Sequence, residues 1–317
     1  MERQEINEDP DESFSIQTLT AGALKPSWLR VGPGDDAAVL ESGLVVTVDA
    51  MVEGVHFDDA ISPEELGEKL FAVNASDVAA CGARPTWAVL TLSLPAPLDR
   101  EWVERFRDGL EAAMRGAAVA LIGGDTTGSK GGKVVSLTLA GQLVGEPLLR
   151  SGARPGDAIW VSGDLGDASA GFHLKPPPAP LARAHRRPSP PLELGPALVG
   201  VATAAMDISD GLATDLKRLC RASSCGATVH RDALPASKAL LAATDGDRDT
   251  LLSHQVAFGE DYQLLFTAPW ELRDEVAAIG ESLSVKLTVI GRIEATNKVA
   301  LDDGEWPGSW QHFGGDQ

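Results

Sequence analysis

Seven aspartates and one threonine sit where the local pattern calls for something else. Asp35 and Asp36 are neighbours in GPGDDAAVL (32–40), between a glycine-rich turn and an apolar run. Adjacent like charges repel there unless something neutralises them. Thr47 and Asp49 share one face of the alternating stretch LVVTVD (44–49), so two oxygen donors point together. Asp77 continues the apolar seam of Leu66, Leu70 and Val73, with Asn74 beside it, on a helix expected over Glu64 to Ala80. A carboxylate on such a seam is expensive to bury without an ion pair, a cap or a cation. Asp77 is mid-helix, and Lys69, the basic residue nearest it on that helix, lies two turns back.

Two further clusters add oxygen donors. LIGGDTTG (121–128) sets Asp125 after Gly123 and Gly124, which permit either a tight turn or close backbone approach to a phosphate. Its continuation GGDTTGSK lacks the Lys-Ser or Lys-Thr order of a Walker A loop. MDISDGLATDL (206–216) places Asp207, Ser209 and Asp210 directly ahead of a Leu212/Leu216/Leu219 helix seam. One of them would serve as a helix cap; three exceed that need, and a helix start also favours anions. The donors are all oxygen, with no histidine or cysteine cluster, which is the chemistry of a hard cation such as Mg²⁺ shared with a phosphate substrate.

The elements that must position these residues follow from periodicity. Strands are expected over 44–49, 86–94, 134–144, 158–162, 262–267 and 285–290, with helices over 64–80 and 100–119 and another opening at 168. Lys175 to Pro191 holds seven prolines and is expected to be a loop. The alternation predicts an α/β (α+β) protein, and 317 residues suit two domains, 1–149 and 150–317. A formal charge of −19 argues against a nucleic-acid or anionic-membrane surface. Three cysteines without framework spacing, and no long apolar run, fit a cytoplasmic protein.

In order and spacing, GDDAAVL, TVDAMVEGVHF, AVNASDVAACGARP, LIGGDTT, LLRSGARPGD, DISDGL and FGEDYQLLF resemble the thiamine-monophosphate kinase family of the aminoimidazole ribonucleotide synthetase superfamily, from about Phe14 to Phe313. The resemblance implies a two-domain aminoimidazole ribonucleotide synthetase-like fold whose N-terminal domain pairs across a homodimer. It implies ATP- and Mg²⁺-dependent phosphorylation of thiamine monophosphate to thiamine diphosphate. Metal ligands would be Asp36, Thr47, Asp49, Asp77, Asp125, Asp207 and Asp210, with Asp210, Asp49 and Asp125 central to catalysis. ATP contacts would fall on Gly124, Asp125, Arg150 and Ser209, and thiamine monophosphate contacts on His56, Glu260 and Trp310. This chain departs from the family at Val48, which offers only its backbone carbonyl. Its GSKGGK loop carries Lys130 and Lys133, with phosphate contact or plain solvation both open.

The acceptor would be a phosphate monoester, whose second pKa near ~6 leaves it largely dianionic at neutral pH, so no general base is required. The competing readings are another ATP-dependent enzyme of the superfamily, such as aminoimidazole ribonucleotide synthetase, and a catalytically silent nucleotide-binding regulator. A hydrogenase-maturation dehydratase would want a C-terminal cysteine, and this chain ends HFGGDQ.

Overall fold

A computed structural model describes residues 10–304, 306 and 307. The first half runs α1 (Pro10–Thr20), β1 (Leu29–Val31), β2 (Ala38–Leu40), β3 (Leu44–Val52), α2 (Pro63–Ala80), β4 (Ala83–Pro95), α3 (Arg100–Gly116), β5 (Ala120–Ser129) and β6 (Val134–Leu143). Its six strands lie in the order β1-β2-β3-β6-β4-β5, and β4–β5 alone is a parallel pair.

The second half runs β7 (Ala158–Ser162), α4 (Asp167–His173), α5 (Ala179–Arg186), α6 (Leu194–Leu198), β8 (Ala204–Asp207), α7 (Leu212–Ala222), β9 (Gly226–Val229), α8 (Lys238–Ala243), α9 (Arg248–Val256), β10 (Leu264–Ala268), α10 (Arg273–Leu283), β11 (Leu287–Glu294) and β12 (Val299–Leu301). A second six-stranded sheet orders them β12-β9-β11-β7-β10-β8, with only β12–β9 parallel. Both sheets are therefore the α+β form of the expected class. Antiparallel sheets tolerate one uncovered face, whereas parallel sheets need helices on both.

Helix α2 is the organiser of the first half. Ser62 and Glu65 form a reciprocal capping box at its start, and Pro63 occupies the first turn, where its missing N–H costs nothing. Leu66, Leu70 and Val73 are buried against the β3 side of the sheet, where they meet Val45, Met51, Val135, Leu137 and Leu139. Along β3, Val45, Thr47 and Met51 are buried on this face, while Val48 on the other is 61% exposed. The second core gathers Leu212, Leu216 and Leu219 of α7 against β7, β8 and β10, so the expected seam is the buried one.

Three expectations need correction. The proline-rich segment is not all loop: α5 forms within it, because its prolines cluster outside Leu181–Arg187 and Pro180 sits in the helix's first turn. LIGGDTTG is no turn but the interior of β5, held extended by pairing with β4, with a register shift at Ile122. The strand expected from Tyr262 begins instead at Leu264, since Glu260 and Tyr262 take φ of +69° and +48°, outside strand geometry.

Candidate active site

The carboxylates converge from segments far apart in the chain. Carboxylate oxygens of Asp36, Asp77 and Asp207 lie within 4.8 Å of one another. Asp36 precedes β2, Asp77 sits in the last turns of α2, and Asp207 ends β8, so three elements from both halves aim acids at one point. The site opens into a cavity of about 780 Å³ that is also lined by Thr47, Asp49, His56, Arg150, Ser209, Asp210 and Glu260. Ten of the residues assigned from sequence thus share one cavity.

Local bonds hold the donors in place. Thr47 Oγ1 donates to Asp77 Oδ2 at 2.6 Å, tying β3 to α2. Asn74, one turn before Asp77, accepts from the Asp49 amide at 3.0 Å and donates to the Leu70 carbonyl at 2.8 Å. Its role is therefore to fasten the strand under the helix. Arg150 donates Nε and Nη2 to Asp36 Oδ1 at 2.8 and 2.5 Å, while its backbone amide meets the Asp35 carboxylate at 3.3 Å. Asp35 also accepts from the Asp36 amide at 3.1 Å, so it shapes the turn that delivers Asp36.

The two late motifs interlock. Glu260 N donates to the Ser209 carbonyl and Tyr262 N to that of Ile208, each at 2.9 Å. A Cβ on Gly259 would stand 1.6 Å from Ser209 O, so only glycine lets these segments meet. Asp215, missed by sequence reading, accepts from the amides of Ser209 and Asp210 at 3.1 and 3.0 Å and is gripped by Arg218. Arg218 also bonds Asp210. Its i, i+3 spacing from Asp215 was a readable signal.

Electrostatics mark the cluster as incomplete. Burial, then the Arg150 attraction opposing it, leaves Asp36 raised to about 6. Burial and the nearby Asp210 charge raise Asp49 to about 6. Asp77 is pushed well above the ordinary carboxylate range by burial and by Asp207, Asp49 and Asp36. Asp207, 2% exposed, is pushed up likewise by burial and Asp36. Asp36 Oδ2 is buried with no hydrogen-bond partner. A buried carboxylate oxygen without a partner, in a cluster of three acids with the oxygens of Thr47 and Asp49 lining the same cavity, fits a hard divalent cation.

His56 follows β3, where its Nδ1 accepts from the Val52 amide at 3.1 Å. That acceptor role puts the neutral ring's proton on Nε2. Lys133 pairs with Glu53 and lies over the Trp102 ring at 5.6 Å, which accounts for it structurally. Trp310 lies outside the described residues.

Gly124 and Asp125 are not at the cavity. Asp49 pairs across β6 with Leu137, Leu137 pairs with Leu90 on β4, and Asp125 on β5 pairs with Thr91, the next residue along. Directly paired residues share a face and consecutive residues alternate. Asp125 therefore stands three strands, about 14 Å, from Asp49 and on the opposite face of the sheet. Gly124 is bare because a Cβ would meet Leu90 O at 2.1 Å, a sheet-packing reason.

This geometry belongs to a known family. The AIR synthase related protein N-terminal domain model matches residues 34–146, and the corresponding C-terminal domain model matches 154–304. Thiamine-monophosphate kinase of Haemophilus influenzae is 40% identical over 278 residues, covering 84% of this chain and 83% of the relative. The chain belongs to the thiamine-monophosphate kinase family. Among solved structures of that family, the enzyme from Stenotrophomonas maltophilia is 39% identical with a TM-score of 0.78, covering 93% of this chain and 96% of its own. AaThiL complexed with AMPPCP and TMP is 32% identical with a TM-score of 0.84, and the match spans 99% of both chains. Thiamine-monophosphate kinases thus share this two-sheet architecture along nearly its whole length. Lys69, Phe172, His185 and Phe258 also reach the Glu260 corner of the site, though no sequence periodicity singled them out.

Proposed function

We propose that the protein transfers the γ-phosphoryl group of ATP to thiamine monophosphate, forming thiamine diphosphate. The observation that carries this reading is the convergence of Asp36, Asp77 and Asp207 beside an orphaned carboxylate oxygen, in a chain of the thiamine-monophosphate kinase family. The task at such a site is to bring two polyanions together. Two unit charges about 4 Å apart repel by roughly 4 kcal/mol at an effective dielectric near 20, and several such pairs meet here.

Asp36, Asp77 and Asp207 would hold Mg²⁺, with Thr47, Asp49 and Asp210 around them. When bound, Mg²⁺ supplies charge neutralisation and alignment for in-line transfer. Arg150 and Ser209 then face the ATP phosphates from the second half of the chain. Glu260 and His56, which line the same cavity, would face the thiamine moiety, and Trp310 is assigned there from the family motif. No side chain need remove a proton from the acceptor phosphate. The nucleophilic oxygen attacks γ-phosphorus directly, the bond to the β-phosphate oxygen breaks, and ADP leaves.

The protein acts as a homodimer in this reading. Strand β5 is an edge strand exposed along nearly its whole length, with Leu121 and Ile122 51% and 61% exposed. An uncovered edge of this length invites pairing with another chain. Val48 extends the apolar surface onto the same sheet's open face. In this reading Asp125 and Gly124, which lie away from their own chain's cavity, serve the site of the second copy. Among the described residues no helix is long and apolar enough to cross a membrane, and the three cysteines are free and buried, as suits the cytoplasm.

Purified protein with ATP, Mg²⁺ and thiamine monophosphate should yield ADP and thiamine diphosphate one for one, with no phosphate retained on the protein. Absence of thiamine diphosphate, or a phosphoenzyme on the path, overturns the reading.

A further inference from the structure

Lys69 is fully buried on α2, two turns ahead of Asp77. A lone ammonium there would be untenable. Its Nζ instead bonds Glu260 Oε2, 191 residues along the chain. His185 of α5 brings Nε2 to 3.2 Å from that same oxygen. Oε1 has a long 3.4 Å contact with the Tyr262 hydroxyl. Glu260 is thus gripped through one oxygen by two elements, while lining the cavity.

Aromatic rings gather at the same corner, and one of them, Phe172, already takes the Lys175 ammonium over its face at 5.5 Å. Phe172 and Phe258 stack with centroids 5.3 Å apart, and the His185 ring is 5.3 Å from Phe172. Phe172 and Phe258 line the cavity beside Glu260. Aromatic faces next to a fixed carboxylate complement a delocalised cationic ring. Glu260 is also held at φ +69°, a conformation that costs a non-glycine residue energy and that persists at ligand clamps. Burial pushes its carboxyl up, but Lys69 and then His185 outweigh this and hold it at about 2.

We propose that Lys69 is a positioning residue, which with His185 pins one oxygen of Glu260 so that the carboxylate meets the cationic ring end of the phosphate acceptor. This rests on thiamine monophosphate being that acceptor. Lys69 acts through Glu260 and touches neither ATP nor the reacting phosphates.

The test compares Lys69→Met, Glu260→Gln and the double variant with the wild type by steady-state kinetics. Each single change should raise KM for thiamine monophosphate about ten-fold or more, the loss expected for a charge-assisted contact. KM for ATP should stay within about two-fold of wild type by the same bookkeeping. The double variant should be no worse than the worse single, because both remove one interaction. If one single variant fails to fold, the charge-neutral double variant, which leaves no unpaired buried ion, is compared with the single variant that does fold, and an equal KM supports the proposal. A fall in kcat with an unchanged KM for thiamine monophosphate, or multiplicative effects in the double variant, overturns it. A wild type that makes no thiamine diphosphate overturns the acceptor assignment, and this inference with it; an active wild type with an indifferent Lys69→Met overturns only this inference.

Discussion

Arg150 and Asp36 meet across the two halves of the molecule, and they share only one carboxylate oxygen. The guanidinium takes Oδ1 at 2.8 and 2.5 Å and leaves Oδ2 buried without a partner. A bidentate fork would have used both oxygens. The half-used carboxylate, 1% exposed, is the clearest mark of a site completed by something outside the chain.

Asp210→Asn should lower turnover by at least about 100-fold, the scale seen when a group stabilising developing charge is removed. The fold should survive, because Arg218 keeps its bond to Asp215 at 3.0 Å. Circular dichroism and thermal melting check the fold, and an ADP-release assay checks the rate. Near-normal turnover would remove Asp210 from the machinery.

The cation-free protein should be more stable near pH 5 than near pH 7.5. Asp36 and Asp49 are raised from 3.8 to about 6 in the folded state, chiefly by burial. The unfolded chain then ionises first, so it binds fewer protons between about pH 4 and 7, and stability falls as pH rises through that window. Melting in EDTA should therefore occur at lower temperature at pH 7.5 than at pH 5. Added Mg²⁺ should reverse the difference, because binding to the folded state stabilises it and favours ionised ligands. A melting temperature indifferent to Mg²⁺ at pH 7.5 would count against the cation site.

Asp77→Asn should separate stability from function. Asp77 is held well above its ordinary pKa by burial and by Asp207, Asp49 and Asp36. Removing one of these repelling acids should raise the EDTA melting temperature by roughly 1–2 °C, about 1 kcal/mol in a chain of this size. Thr47 can still donate to the amide oxygen, so the β3–α2 tie at 2.6 Å survives. Activity and the Mg²⁺ response should both be lost. A variant less stable in EDTA than the parent would show that Asp77 is a structural acid.

If the protein is the homodimer proposed above, mixed dimers should reveal whether Asp125 works across the subunit boundary. Asp125→Asn and Asp210→Asn homodimers should each be inactive. A heterodimer of the two would contain one site with both native aspartates if Asp125 serves its neighbour, and none if it serves its own chain. Activity near half of wild type per heterodimer is expected, measured after co-expression with two affinity tags. An inactive heterodimer would place Asp125 in its own protomer's chemistry, and an active Asp125→Asn homodimer would place it outside the reaction.

The sequence by itself determined what is periodic or contiguous. The seam of α2 exposed Asp77 as an intruder, alternation along β3 put Thr47 and Asp49 on one face, and DISDG announced more acids than a helix start needs. These are local properties, set by 3.6- and 2-residue repeats that depend on no other part of the chain. The ordered motifs then supplied the family, and with it the two-domain fold and the kinase chemistry.

Only the tertiary structure decided who partners whom. Lys69, the basic residue nearest Asp77 on its own helix, belongs to Glu260. Gly124 is bare for Leu90 on the neighbouring strand, and Asp125 faces away from the other acids because of where β5 pairs. His185 reaches the site from a helix hidden among prolines. Each of these depends on strand order and on contacts between residues scores of positions apart, and no periodicity within a segment encodes them.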